Sequence, residues 1–466
     1  MEPASGFGRI RQSEVYVGGA RGQMPGVPFD PEKLENAARE KMSKRAFAYV
    51  AGGAGVELSV HANRTAFERW RIVPRMLNDV SRRDTSVELF GRRVPTPFLL
   101  APVGVLELAH AEADLAVARA AAAEGVPMIF SNQASHTMEA CAAEMGDSPR
   151  WFQLYSSTSD ELIDSFMTRA AACGCEAIVV TLDTTLLGWR TRDLDLAYLP
   201  FLEGKGIAQY THDPVFQKLL DEATPAPTGR VTATGLRTLA ALTRAYPGAF
   251  WSNLRSPRPR LAVQVFTEVY SRSSLAWNDL DRLLERAPLP LLLKGILDPA
   301  DAKRAVEAGV SGIIVSNHGG RQVDGSIAAL DALPLVVDAV RDRVPVLFDS
   351  GIRTGADVFK ALALGAAAVL VGRPYVYGLA LDGESGVRAV IRNLRADFDL
   401  TLGLAGYANA AELDSGALVP AVLVATASSW AQPGRRRAGD RRGFARPRCS
   451  SASTCPRPRL RPSRRA

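Results

Sequence analysis

The chain has 466 residues, 47% apolar and 23% charged, which is the balance of a globular protein with ample core. No run of 18 or more apolar residues occurs, so no membrane helix is expected. The start Met1-Glu2-Pro3-Ala4-Ser5-Gly6 lacks a basic stretch leading into an apolar one, so no secretory signal is expected and a cytoplasmic location is. The net charge of +7 is unevenly spread: residues 432–466 hold twelve arginines and one aspartate, or +11, which leaves −4 on the body.

Residues 1–95 read as an N-terminal cap, helical around 32–50. Gly52-Gly53-Ala54-Gly55 sits in that helical region and reads as a turn, and no Gly-x-Gly-x-x-Gly follows a first strand, which argues against a dinucleotide fold. From 96 onward, apolar strand-like runs alternate with amphipathic helical ones. Strands are expected at 98–101, 126–130, 151–155, 177–182, 289–294, 312–316, 344–349 and 368–371. Helices are expected at 112–124, 138–144, 160–172, 299–308, 330–340 and 355–364, and within 386–398. Eight such pairs predict a closed parallel (β/α)8 TIM barrel of class α/β over 96–420, with a doubly wound open sheet as the competing arrangement. The strands are continuous apolar runs, as expected when both faces are covered. The connection at 184–274 is far longer than a usual strand–helix loop. It mixes aromatics with charges, as an active-site lid would, and should be helical near 232–246. Beyond 421 the Arg/Pro/Ser/Gly-rich tail has no apolar periodicity and reads as a disordered appendage foreign to the fold. A nucleic-acid or acidic-lipid tether is its functional alternative.

The five cysteines are too few and too scattered for a disulfide framework. Cys173-Gly174-Cys175 reads as two small buried residues, and no metal site is expected.

In such barrels chemistry sits at the carboxyl ends of the strands. Here those ends carry Ala101-Pro102-Val103-Gly104, Ser131, Gln153 with Tyr155, and Thr181 with Asp183. They also carry Lys294, Ser316 with His318 and Arg321, Asp349-Ser350-Gly351-Ile352-Arg353, and Gly372-Arg373. Eight polar strand ends are hard to explain by packing. Gly351, Arg353, Gly372 and Arg373 fall on strands seven and eight, the usual phosphate corner of this fold. Lys294 fits either a Schiff-base lysine or a cation beside an electron-accepting ring. His318 can take a proton near neutrality, Asp183 can stabilise the imidazolium, and Arg321 and Arg190 can each hold a carboxylate.

The stretches Ser316-Asn317-His318-Gly319-Gly320-Arg321, Leu293-Lys294-Gly295-Ile296, Phe348-Asp349-Ser350-Gly351-Ile352-Arg353 and Val371-Gly372-Arg373-Pro374 resemble the FMN-dependent 2-hydroxy-acid oxidase family. Tyr49-Val50-Ala51-Gly52-Gly53-Ala54 with Asn63-Arg64 matches as well. The resemblance implies an FMN-binding domain over about 25–420. It implies His318 as base with Asp183 as its partner, and Arg321 and Arg190 as carboxylate ligands. Tyr49 and Tyr155 become substrate hydroxyls. Lys294 lies near the flavin N1/O2 edge, with Ser131, Gln153 and Thr181 facing the ring. Asp349, Gly351, Arg353, Gly372 and Arg373 hold the ribityl-phosphate end. It further implies a homo-oligomer, tetramer or octamer, acting on a small 2-hydroxy acid and O2, with no nucleic-acid or membrane partner. The fourth-loop run Gly188-Trp189-Arg190-Thr191-Arg192-Asp193-Leu194, with Pro200-Phe201-Leu202 and Asp213-Pro214-Val215-Phe216, is similar to the lactate 2-monooxygenase branch. Gly104 suits that branch, and Asn132-Gln133 departs from the residues common after the second strand. The expected outcomes are acetate and CO2 from lactate, or a 2-oxo acid with H2O2.

Overall fold

The eight apolar runs form short parallel strands because each is buried on both faces. In the computed structural model, which describes residues 6–226 and 232–421, they are β1 (Phe98–Leu100), β2 (Met128–Phe130), β3 (Arg150–Leu154) and β4 (Ile178–Thr181), then β5 (Leu291–Ile296), β6 (Gly312–Val315), β7 (Val346–Phe348) and β8 (Ala368–Val371). They close in chain order, and β8 pairs back onto β1 with Leu370 opposite Leu99. The register sets Gln153 beside Val179 and Thr181 beside Lys294, so polar residues of neighbouring strands reach one level.

The barrel axis is filled by Leu99, Ile129, Trp151, Val179, Leu292, Ile314, Leu347 and Leu370. Burying each of the aliphatic side chains among them stabilises by about 1.5–3 kcal/mol relative to exposure. The lower end is plugged by the hairpin Val87–Leu89 and Arg92–Val94: Leu89 and Val94 join the axial cluster, and the Phe90 ring meets Trp151 edge-on at 5.4 Å. The upper end is left for function. Strand Trp70–Ile72 pairs antiparallel with Leu418–Pro420, tying the cap to the last described residues. Among the described residues no helix is long and apolar enough to cross a membrane.

Several elements differ from expectation. The cap helix is two helices, Pro31–Lys41 and Lys44–Ala51, because Ser43 is extended and its Oγ caps Ala46 N–H at 3.2 Å. Helices Gly6–Ala20 and Leu58–Glu68 were not expected; the first buries only Gly8 and so leaves no apolar periodicity to read. The last helix runs over Arg373–Leu404 with a break at Asp382–Gly383, well beyond 386–398. Strand β5 continues past Lys294 through a bulge at Gly295. The long connection contains the expected helix Ala233–Ala245 and also Pro214–Glu222 and Arg258–Val269. Its Tyr210 and Phe216 are fully buried, the Tyr210 ring meeting both Phe216 and Phe266, so much of it is scaffold. The basic tail lies outside the described residues from 422 onward.

Candidate active site

At the upper rim the side chains of successive strands hydrogen-bond sideways. Ser131 Oγ donates to Gln153 Oε1 at 3.2 Å, and Gln153 Nε2 donates to Thr181 Oγ1 at 3.1 Å. Lys294 Nζ donates to Ser316 Oγ at 2.9 Å and pairs with Asp349 Oδ2 at 3.0 Å, which also accepts from Ser316 Oγ at 2.6 Å. All are buried. Burial alone would push the Asp349 carboxyl up, but the Lys294 charge and the Ser316 hydroxyl hold it low. Lys294 therefore keeps its charge, and its pKa is raised despite burial because Asp349 and Asp183 flank it. A lysine held charged in this way is a poor Schiff-base nucleophile.

Three residues beyond β6 the backbone leaves ordinary space. His318 has φ 57° and Ser350, at the end of β7, has φ 94°; both are strained for residues bearing a Cβ. Ser350 Oγ accepts Gly319 N–H at 2.9 Å, and Asn317 Oδ1 accepts Gly320 N–H at 3.1 Å, so the two strand ends clamp each other. Asn63 of the cap exchanges two amide hydrogen bonds with Asn317, at 2.7 and 2.8 Å. The result is that His318 Nδ1 meets Asp183 Oδ1 at 2.7 Å. That contact makes Nδ1 the donor and leaves Nε2 as a free acceptor. Burial lowers the His318 pKa, Asp183 working against it, so the imidazole is neutral and basic at neutral pH. Asp183 is held below its usual range: burial would raise it, but His318 and Lys294 prevail. Gly295 is obligatory beside it, since its φ is 106° and a Cβ there would meet Asp183 Cβ at 2.9 Å.

Two guanidiniums stand opposite. Arg321 donates to the carbonyls of Tyr49 (2.6 Å) and Gly52 (2.9 Å), and Arg190 donates to Gln322 Oε1 at 3.0 Å. Both lie over the Tyr49 ring, at 5.1 and 6.0 Å. Among the described residues neither makes an ion pair. Burial, with Arg190 beside it, pushes Arg321 down to about 9. Buried Arg190 and half-buried Arg321, with Asp193 nearby but not in an ion pair with either, form an anion site. Arg353 is similar: half-buried, pushed down to about 10 chiefly by desolvation, its guanidinium bonded among the described residues to the Ile352 carbonyl at 2.8 Å. Arg373 instead binds the carbonyls of Val50, Gly52 and Gly319 at 3.0–3.1 Å, sewing the cap to the His318 turn.

These groups surround one cavity of about 1060 Å³ including its mouth. Its walls include Ala101 to Gly104, Tyr49, Tyr155, Arg190, Lys294, His318, Arg321, Asp349, Gly351, Arg353, Gly372 and Arg373. Ser131, Gln153, Thr181, Ser316 and Asp183 stand directly behind that wall.

The model of the family described as "FMN-dependent dehydrogenase" matches residues 38–420. The chain belongs to that family. It is 42% identical over 373 residues to an L-lactate oxidase of Lysinibacillus sphaericus, covering 80% of this chain and 88% of that one. It is 40% identical to the FMN-dependent alpha-hydroxy acid dehydrogenase qulF of Penicillium citrinum (88% and 95% covered) and to a 4-hydroxymandelate oxidase of Amycolatopsis orientalis (80% and 93%). A crystal structure of mandelate oxidase with (S)-4-hydroxymandelic acid superposes with TM-score 0.69 at 36% identity, covering 84% of this chain and 98% of that one.

FMN is thus the cofactor of this dehydrogenase-family chain, and the cavity fits it. A flavin needs a flat wall, donors and a cation along one edge, and cations for its phosphate. The Ala101–Gly104 turn, Lys294 with the Gln153 amide behind it, and the unpaired Arg353 answer those needs in that order. Asp349 pairs with Lys294 and lines the same cavity as Arg353 and Arg373. Further wall residues come from the long connection and the turns, namely Thr184, Leu187, Phe201 and Tyr270, together with Gln133 and Ser350. Phe201 belongs to the fourth-loop stretch Pro200-Phe201-Leu202, whereas Tyr270 carries no motif and only its place in an aromatic-rich insertion signals it.

Proposed function

We propose that this enzyme oxidises L-lactate and retains the product for oxidative decarboxylation: L-lactate and O2 give acetate, CO2 and water. The His318–Asp183 contact at 2.7 Å carries the reading. Arg321 and Arg190 bind the carboxylate of the hydroxy acid, and Tyr49 and Tyr155 position its hydroxyl. His318 Nε2 removes a proton, and Asp183 stabilises the imidazolium so formed. Bound FMN supplies the two-electron acceptor and the reaction with oxygen. Lys294 places a fixed charge beside it, and Ser131, Gln153 and Thr181 satisfy its polar edge. Gly351, Arg353, Gly372 and Arg373 hold its phosphate end. Phe201 and Tyr270 close the wall from the insertion, excluding water and slowing release. The L-lactate oxidase relative supports a small aliphatic substrate.

That same relative favours a second outcome, release of pyruvate with H2O2. Product analysis separates the two. Acetate without peroxide from lactate in air supports the retained-product reading. Stoichiometric pyruvate and peroxide replaces it with the oxidase, and a flavin that lactate fails to bleach anaerobically discards the substrate.

A further inference from the structure

A second cavity lies behind the catalytic wall. It encloses about 830 Å³ including its mouth, between the ends of β4 and β5 and the helix Trp277–Arg286. Leu275, Leu280, Leu283, Leu293, Ile296 and the Trp277 ring make most of its surface.

Its relation to the first cavity follows from the strand pleat. Tyr155, Thr184 and Lys294 line the substrate cavity, and their chain neighbours Ser156, Asp183 with Thr185, and Gly295 line the second one. One layer of backbone therefore separates the two. At Gly295 that layer is backbone alone, with no side chain of its own, and Asp183 packs against it so closely that an added Cβ would lie 2.9 Å from Asp183 Cβ. Asp183 spans the layer. Its Oδ1 holds His318, and its Oδ2 is buried without a hydrogen-bond partner.

A mainly apolar cavity whose charged groups are the carboxylates Asp183 and Asp301 poorly matches an anionic substrate and suits a small neutral molecule. The retained-product reading needs such a molecule to enter while the 2-oxo acid blocks the mouth beneath Arg190 and Arg321. We propose that dioxygen reaches the flavin site through this second cavity, crossing the barrel wall at Gly295 beside Asp183. The proposal rests on an oxygen-reactive flavin, and it is independent of which hydroxy acid is oxidised.

Three measurements on the FMN-loaded enzyme test it. A crystal pressurised with xenon should show the gas among Leu280, Leu283 and Trp277. Ala276 is exposed at the cavity mouth, and Ala276→Trp should slow reoxidation of the reduced enzyme by O2 several-fold while anaerobic reduction by lactate keeps its parent rate. Leu280→Ala, which widens the cavity, should leave reoxidation as fast or faster. An ordered water file in place of xenon would overturn the proposal, as would parent-rate reoxidation in Ala276→Trp. Failure of lactate to reduce the parent enzyme would instead sink the functional reading, leaving the xenon site to be judged separately.

Discussion

The strand ends and the long connection build the two halves of one cavity by different means. At the strand ends the base and the lysine are each held twice. His318 is fixed by backbone strain and by Asp183, and Lys294 by Ser316 and Asp349. The connection contributes Leu187, Phe201 and Tyr270, which touch the cavity through apolar packing alone or ring contacts such as Phe201 to Tyr49 at 6.4 Å. Directional, charged restraint suits bond-making; packing suits shape and residence. Substitutions at the rim, and at Arg190 of the connection, should therefore change the rate of flavin reduction, and those at the apolar residues of the insertion should change what leaves and when.

The largest effect should come from His318→Gln. It keeps a polar group of similar length but no base, so anaerobic flavin reduction should fall by roughly 10²–10⁴-fold. The visible FMN spectrum should persist. Undiminished reduction would remove His318 from its role and break the contrast at its strongest point. Arg321→Lys should follow. The ammonium keeps the charge but loses the planar fork and the reach to the Tyr49 and Gly52 carbonyls, and unpaired groups of this kind cost about 1–3 kcal/mol. KM for lactate should rise with a smaller change in kcat.

The pH dependence of reduction is the third test. Burial depresses the His318 pKa, so the basic form persists below the ordinary histidine range. Activity should fall only as pH drops through that depressed value, giving an acid limb below about 6.5. Stability runs the same way. Between the two values the unfolded state binds the extra proton, so stability is full above the ordinary value and declines as pH falls through it. Asp183, also lowered, adds to this acid lability, its stability being present above the ordinary carboxylate value and lost as pH falls through the depressed one. An acid limb above the ordinary histidine value in the Asp183→Asn variant, and not below, would contradict this electrostatic account.

Most of the barrel was legible because its strands are buried on both faces and leave unbroken apolar runs. The rim was legible because polar residues closing such runs have few packing explanations. Three things were not. Helix Gly6–Ala20 buries too little to imprint a period. The Met42–Ser43 break depends on one extended residue and a hydroxyl cap. The Asp349–Lys294 pair crosses two strands, and pairings across a closed barrel depend on register, which no local pattern carries. The insertion read as a lid because of its length, yet Tyr210 at its centre is wholly buried. Length marks an insertion, but only the packed structure separates scaffold from wall.

The smallest effect sharpens the comparison most. Phe201 sits 5% exposed, with its ring 5.2 Å from Phe266 and edge-on to Tyr49. Phe201→Leu keeps most of the volume, and such swaps cost under about 1.5 kcal/mol. It removes the aromatic support of Tyr49 without touching His318, Arg321 or Lys294. Reduction should stay within about twofold of the parent, because the rim is held by its own hydrogen bonds and differences below ~0.5 kcal/mol are expected at untouched groups. The ratio of pyruvate and peroxide to acetate should rise, because the wall that retards release is looser. Slowed reduction with an unchanged product ratio would mean that the insertion positions the chemistry and the division between the two halves fails. A changed ratio at parent reduction rate would place control of the outcome in packing, where a single apolar substitution can tune it.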